Sequence, residues 1–80
     1  MKQEELKIYY DIYTDCWKLF KKYAYEENKS NHDFWQNFAK ESRNLRIKYK
    51  ESKLACDIIL ATYRELEQIE KKSLTMQEHH

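Results

Sequence analysis

The sequence predicts an all-α fold, an antiparallel three-helix bundle, and three observations lead there. The 80 residues contain no glycine and no proline, which removes the usual residues of hairpin turns and phosphate-cradling loops. Apolar residues recur at spacings of three and four, the repeat of a helix face. Two short stretches, residues 26–31 and 50–52, break that repeat and divide the chain into three segments. A chain of this length is one domain, here residues 1–75, followed by a short tail over 76–80 that is disordered or tag-derived.

The first helix is expected over residues 3–25. Leu6, Tyr9, Tyr10, Tyr13, Cys16, Trp17, Phe20 and Ala24 share one face of it and form its expected core stripe. Glu26 to Asn31 contains no apolar residue and reads as the first loop. Ser30 followed three positions later by Asp33 resembles a capping box, with Asp in place of the longer Glu. The second helix is expected over residues 31–49, with Trp35, Phe38, Ser42, Leu45 and Tyr49 as its stripe and Phe34 beside it. Lys50-Glu51-Ser52 is the second break, with Ser52 as the N-cap of the next helix. Nothing there forbids a continuous helix, and without the break the chain becomes a long hairpin that must dimerise to cover itself. The third helix is expected over residues 53–72, its core face made of Ala55, Ile58, Ile59, Thr62, Leu66 and Ile69.

Composition excludes several functions. Fifteen basic and fourteen acidic residues leave a net charge of +1, so no overall field gathers nucleic acid or an anionic membrane. No apolar run approaches the ~20 residues of a membrane span, and no signal-type stretch follows Met1, so a cytoplasmic protein is expected. Cys16 and Cys56 would sit on parallel helices with an axial offset of roughly 12 Å at 1.5 Å per residue. A disulfide needs Cα atoms within about 7 Å, so free thiols are expected.

No constellation supports catalysis, a cofactor or a metal site, and no enzyme is expected. His32 is a solvated residue near a helix start. Asp11 and Asp15, one turn apart, have Lys7, Lys18 and Lys22 at neighbouring positions, which favours surface salt bridges over acid–base work. The cysteines lack the close Cys or His companions of a zinc site.

Two surfaces remain as candidates. On the first helix, Ile8, Ile12, Leu19 and Tyr23 flank the core stripe, and both groups together span roughly 200°, wider than one bundle face needs. On the third helix, Cys56, Leu60 and Tyr63 run along a line away from the core face. Three-helix packing can absorb broad stripes. Alternatively Ile8, Ile12, Leu19, Cys56, Leu60 and Tyr63 form an interface with another chain, a homodimer or another protein. Seven tyrosines suit that second reading, since tyrosine is enriched at interfaces. The other candidate is nucleic-acid binding by the second helix, where Gln36, Lys40, Arg43, Asn44 and Lys50 carry donors suited to phosphates and base edges. Six cations between residues 40 and 53 face two carboxylates there. A helix-turn-helix with the third helix as reader fares worse, because Leu54-Ala55-Cys56-Asp57-Ile58 offers a groove almost no donors.

Trp17-Lys18-Leu19-Phe20-Lys21-Lys22-Tyr23, Phe34-Trp35, Lys48-Tyr49-Lys50, and Ile59-Leu60 followed by Glu65-Leu66-Glu67 resemble, in order and spacing, small uncharacterised helical proteins from prophages and mobile elements of Gram-positive bacteria. Those share an aromatic-rich first helix, a Trp entering the second and an apolar third ending in Glu-Leu-Glu. The resemblance covers roughly residues 9–70 and rests on packing positions. It implies an accessory role in such an element, and no site residues.

Overall fold

The computed structural model describes the backbone of residues 1–25 and 32–78, and side chains up to residue 72. Three helices, α1 (Gln3–Ala24), α2 (His32–Lys48) and α3 (Lys53–Glu78), form an up-down-up bundle. The expected capping pair of Ser30 and Asp33 falls partly on residues outside that description, as do His79 and His80. Helix α3 continues six residues beyond its predicted end, so residues 76–78 of the expected tail are helical.

Helix α1 begins at Lys2 without a side-chain cap. Glu4 and Glu5 in its first turn and Lys21 and Lys22 in its last complement the helix dipole instead. The break before α3 is real and is built without glycine. Lys50 and Glu51 both take left-handed backbone angles, φ 53° and 55°. The Lys50 N–H donates to the Ile47 carbonyl at 3.0 Å and the Glu51 N–H to the Arg46 carbonyl at 2.7 Å. That pair of bonds is a Schellman ending, which satisfies carbonyls that α2 leaves unpaired. Ser52 then caps α3 as its position predicts, its Oγ accepting from the Ala55 N–H at 3.2 Å.

Two clusters stacked along the bundle axis make the core. Ile12 and Cys16 of α1 meet Ala55 and Ile59 of α3 near the α2–α3 turn. Leu19 and Tyr23 meet Phe34, Phe38 and Leu66 towards the other end. Leu66, fully buried, is the α3 residue of that second cluster. Around Tyr23 the packing is aromatic, with edge-on contacts to Phe34 at 5.2 Å and Phe38 at 5.3 Å between ring centres. Trp35 stacks on Tyr63 at 5.4 Å and joins α2 to α3. The buried Thr62 hydroxyl is satisfied within its own helix, donating to the Ile58 carbonyl at 2.8 Å.

The α1 core face differs in part from the expected one. Cys16 is buried and Phe20 and Ala24 pack against the core as expected, but Ile12, Leu19 and Tyr23 also point inward, while Leu6, Tyr9, Tyr10, Tyr13 and Trp17 are exposed. Ile12 and Leu19, expected at an interface with another chain, are only 2% and 6% exposed and belong to the monomer's own core. The two stripes lie about 110° apart on the helix at 3.6 residues per turn, and the aliphatic one faces both neighbours. On α2 and α3 the predicted stripes do face inward. Phe34, Phe38, Ser42, Ala55, Ile59, Thr62 and Leu66 are buried, and Trp35, Leu45, Tyr49, Ile58 and Ile69 are half-buried.

Candidate protein-interaction surfaces

The helices are staggered. Ile12 is the first buried residue of α1 and packs beside Ala55, near the start of α3; residues 1–10 are all exposed. With Ile12 level with Ala55, the start of α3 at Lys53 is level with Tyr10, so the first seven residues of α1 extend beyond it by about 10 Å at 1.5 Å per residue. With α3 extending past the opposite end, the envelope reaches 54 Å along an axis only 22 by 18 Å across.

The overhang and the turn of α1 that follows carry an unusual surface. Leu6, Tyr10, Tyr13 and Trp17 are 57–68% exposed and Tyr9 is 41% exposed, all on one side of the helix. Leu6, Tyr9, Tyr10 and Tyr13 line a shallow depression with Gln3 and Lys7. Buried aromatic side chains account for about 150–250 Å² each, so five residues exposed to this degree present on the order of 600 Å² of apolar area. That is the upper limit for the largest patch on an ordinary monomer, and patches of this size mark contact sites. Ile8 is also exposed, but about 160° round the helix from Leu6, so it does not join the stripe.

The predicted α3 line meets a different surface. Cys56, Leu60 and Tyr63 form one wall of a groove of about 520 Å³ between α2 and α3, with Trp35, Ala39, Ser42 and Arg46 opposite. Leu60 is half exposed, and Cys56 and Tyr63 are half-buried. Ser42 is 6% exposed, yet its Oγ has no hydrogen-bond partner. Small residues (Ala39, Ser42, Cys56) separate the larger Trp35, Leu60 and Tyr63, a profile that lets another backbone approach closely.

Polar contacts fix α1 against α2. Asp15 accepts from Lys48 Nζ at 2.7 Å and from the Tyr49 hydroxyl. Burial alone would raise the Asp15 pKa, but the hydrogen bonds from Lys48 and Tyr49, with the charges of Lys48 and Lys18, hold it below the usual value. Glu41 behaves alike. Desolvation pushes its pKa up, and bonds from Lys22 (2.6 Å) and Tyr23 together with the Lys22 charge bring it below normal. Asp15 thus pairs across to α2, whereas Asp11 meets Lys7 within α1 at 3.6 Å. These carboxylates are held in ion pairs, a structural use.

Neither cysteine is bonded. Burial, then the neighbouring Asp15 charge, raises the Cys16 pKa, which keeps that thiol unreactive. His32 is exposed at the start of α2. Among the described residues no group of three or more His, Cys, Asp or Glu could hold a metal ion, and no helix is long and apolar enough to cross a membrane.

Gln36, Lys40, Arg43 and Asn44 do share the exposed outer face of α2. Lys50 leaves that face, because its left-handed conformation places it in the turn. Ile47, 58% exposed, interrupts the basic surface. The sequence matches no protein-family model, and comparison with curated proteins and with solved structures gives no match.

Proposed function

We propose that this chain is a non-enzymatic protein-interaction module that docks through the aromatic face of α1. The exposed stripe from Leu6 to Trp17 carries the reading. Tyrosine and tryptophan supply large contact area at a low cost in side-chain entropy, which makes them effective interface residues. The bundle stabilises that face without covering it: the core engages the aliphatic stripe about 110° away, and the aromatic stripe is left exposed. An accessory role in a prophage or mobile element, as the sequence resemblance implies, is compatible with such a module.

The test is a photo-crosslinking amino acid at position 10 in cells expressing the chain, with position 36 on α2 as control. A discrete protein adduct from position 10 and none from position 36 is expected. Equal yields at both positions, or no protein adduct from position 10, would overturn the docking reading.

A second reading rests on the shared outer face of Gln36, Lys40, Arg43 and Asn44, whose side chains suit phosphate contacts. A mobility shift titrated with salt tests it, because phosphate contacts are strongest at low salt. No shift at roughly 50 mM salt would end that reading.

A further inference from the structure

The net charge of +1 conceals a division of charge along the chain. Residues 16–24 of α1 and 34–48 of α2 carry seven cations and one carboxylate, Glu41, and Asp15 and Asp33 border them. The rest of the chain carries eight cations and thirteen carboxylates. The two basic stretches lie side by side. Ion pairs from Lys22 to Glu41 at 2.6 Å and from Lys48 to Asp15 at 2.7 Å hold α1 antiparallel to α2, and Lys18 and Asn44 line the same groove between them. We propose that this α1–α2 face is a binding site for duplex nucleic acid, held through its phosphates by two rows of cations, Lys18 and Lys22 on α1 and Lys40 and Arg43 on α2; this rests on the second reading above and extends it to a second helix.

Three observations support the site. The first is unspent charge. Lys18, Lys40 and Arg43 are exposed, and none of them enters an ion pair among the described residues. Asp15 and Glu41 do line the groove, which encloses about 350 Å³. Each is already held by a lysine more exposed than itself, so cations form the outer layer of the face.

The second is geometry. Lys18 and Lys22 stand one turn apart, about 6 Å along α1, and Lys40 and Arg43 about 4.5 Å apart along α2. Packed helices lie about 8–10 Å apart, so the cations make two parallel rows at roughly that separation. The strands bordering a major groove are about 12 Å apart, which lets each row meet the phosphates of one strand. A lone strand engages only one row.

The third is the chemistry around the rows. Gln36, Asn37 and Asn44 are exposed on α2, and side-chain amides donate to phosphate oxygens. Ile47 is the one large apolar side chain exposed on α2, whereas a helix lying on a lipid surface inserts an apolar face beside its cations. Phosphate contacts carry no sequence information, so the site holds duplexes of any sequence. Lys18 lies about 100° round α1 from Trp17, so this face adjoins the aromatic docking face without sharing its side chains.

The test is fluorescence anisotropy of the full chain with random-sequence DNA and RNA duplexes of about 20 base pairs, titrated with salt from roughly 50 mM upward. With three unspent cations on phosphates, the logarithm of the affinity constant should fall against that of salt with a slope of about −3. Two unrelated sequences should bind alike. Lys18→Gln and Lys40→Gln should each weaken binding roughly tenfold at ~50 mM salt and reduce the slope by about one. Arg64→Gln removes the same charge from an exposed position on α3 and should change neither. Circular dichroism checks that each variant stays helical.

No binding to either duplex at ~50 mM salt overturns this site and the α2 reading together. Binding that Lys40→Gln weakens and Lys18→Gln leaves intact overturns the two-helix site while the α2 reading stands. An equal loss from Arg64→Gln shows diffuse attraction and overturns the site as well. Tighter binding to a single strand, or to phosphatidylserine vesicles, does the same. A protein adduct from position 10 is independent of all these outcomes, so the docking reading stands or falls on its own.

Discussion

Asp15→Asn isolates the contact that fastens the middle of α1 to the end of α2. The substitution keeps the side chain's size and removes the charge that receives the Lys48 and Tyr49 hydrogen bonds. A hydrogen bond to a charged group contributes about 1.5–3 kcal/mol. The carboxylate is one-fifth exposed and Lys48 largely solvated, so solvent screening brings the value to the bottom of that range or just below it, about 1–1.5 kcal/mol. For a domain of this size that lowers Tm by roughly 4–10 °C.

The pH dependence tests the cause. The folded-state pKa of Asp15 lies below its unfolded value, so its contribution is complete above the unfolded pKa of about 3.9 and fades as pH falls through the folded pKa. Urea unfolding of both proteins between about pH 6 and pH 2.5 is the assay. The stability gap should be full at pH 6 and close at the acid end. A gap that is constant with pH, or an Asp15→Asn protein as stable as wild type at pH 6, would refute the assignment.

Other perturbations have equally definite expectations. Leu66→Ala, at the buried α3 position of the aromatic cluster, should cost about 2.5–5 kcal/mol and broaden the thermal transition seen by calorimetry. Ser52→Ala removes the N-cap bond to Ala55 and should cost about 1 kcal/mol by denaturant unfolding, with Ser52→Asp close to neutral. Lys50→Gly relieves one left-handed residue and should stabilise by roughly 0.5–1 kcal/mol after the greater freedom of glycine in the unfolded chain is counted. Lys50→Val should destabilise, since a β-branched side chain fits that conformation badly.

How much of this was legible in the sequence varies by helix. Helices α2 and α3 each carry a single dominant apolar stripe, so spacing alone put Phe38, Ser42, Ala55, Ile59 and Leu66 inside. Ser52 declared the start of α3 because its hydroxyl can satisfy a free N–H. Helix α1 has two stripes of equally good period, and periodicity cannot choose between them. The ring-rich stripe drew the core assignment, although tyrosine carries a polar tip that tolerates water. The signal that could have decided lies in chemistry: of Ile12, Cys16, Leu19 and Tyr23 only Tyr23 bears a hydroxyl, whereas the ring-rich stripe carries three tyrosines. The α2–α3 groove was half visible, as the Cys56–Leu60–Tyr63 line. Its other wall depended on how α2 rotates against α3, which a single helix pattern does not encode. The overhang depends on stagger between helices, and that too emerges only when the clusters pair Ile12 with Ala55.

The glycine-free turn at Lys50 and Glu51 has a consequence for how the chain stores tension. Two left-handed non-glycine residues cost on the order of 1–2 kcal/mol each, and continuing the helix through them would release that cost. The straightened product is one rod from residue 32 to 78, about 70 Å long, with α3 swung away from α1. Such a rod must recover its lost core from another molecule, which is segment exchange at a hinge loop. The bend is therefore a spring held shut by the packing of Ala55, Ile59 and Leu66 on α1. Concentrated or heated samples have an exchanged dimer within reach.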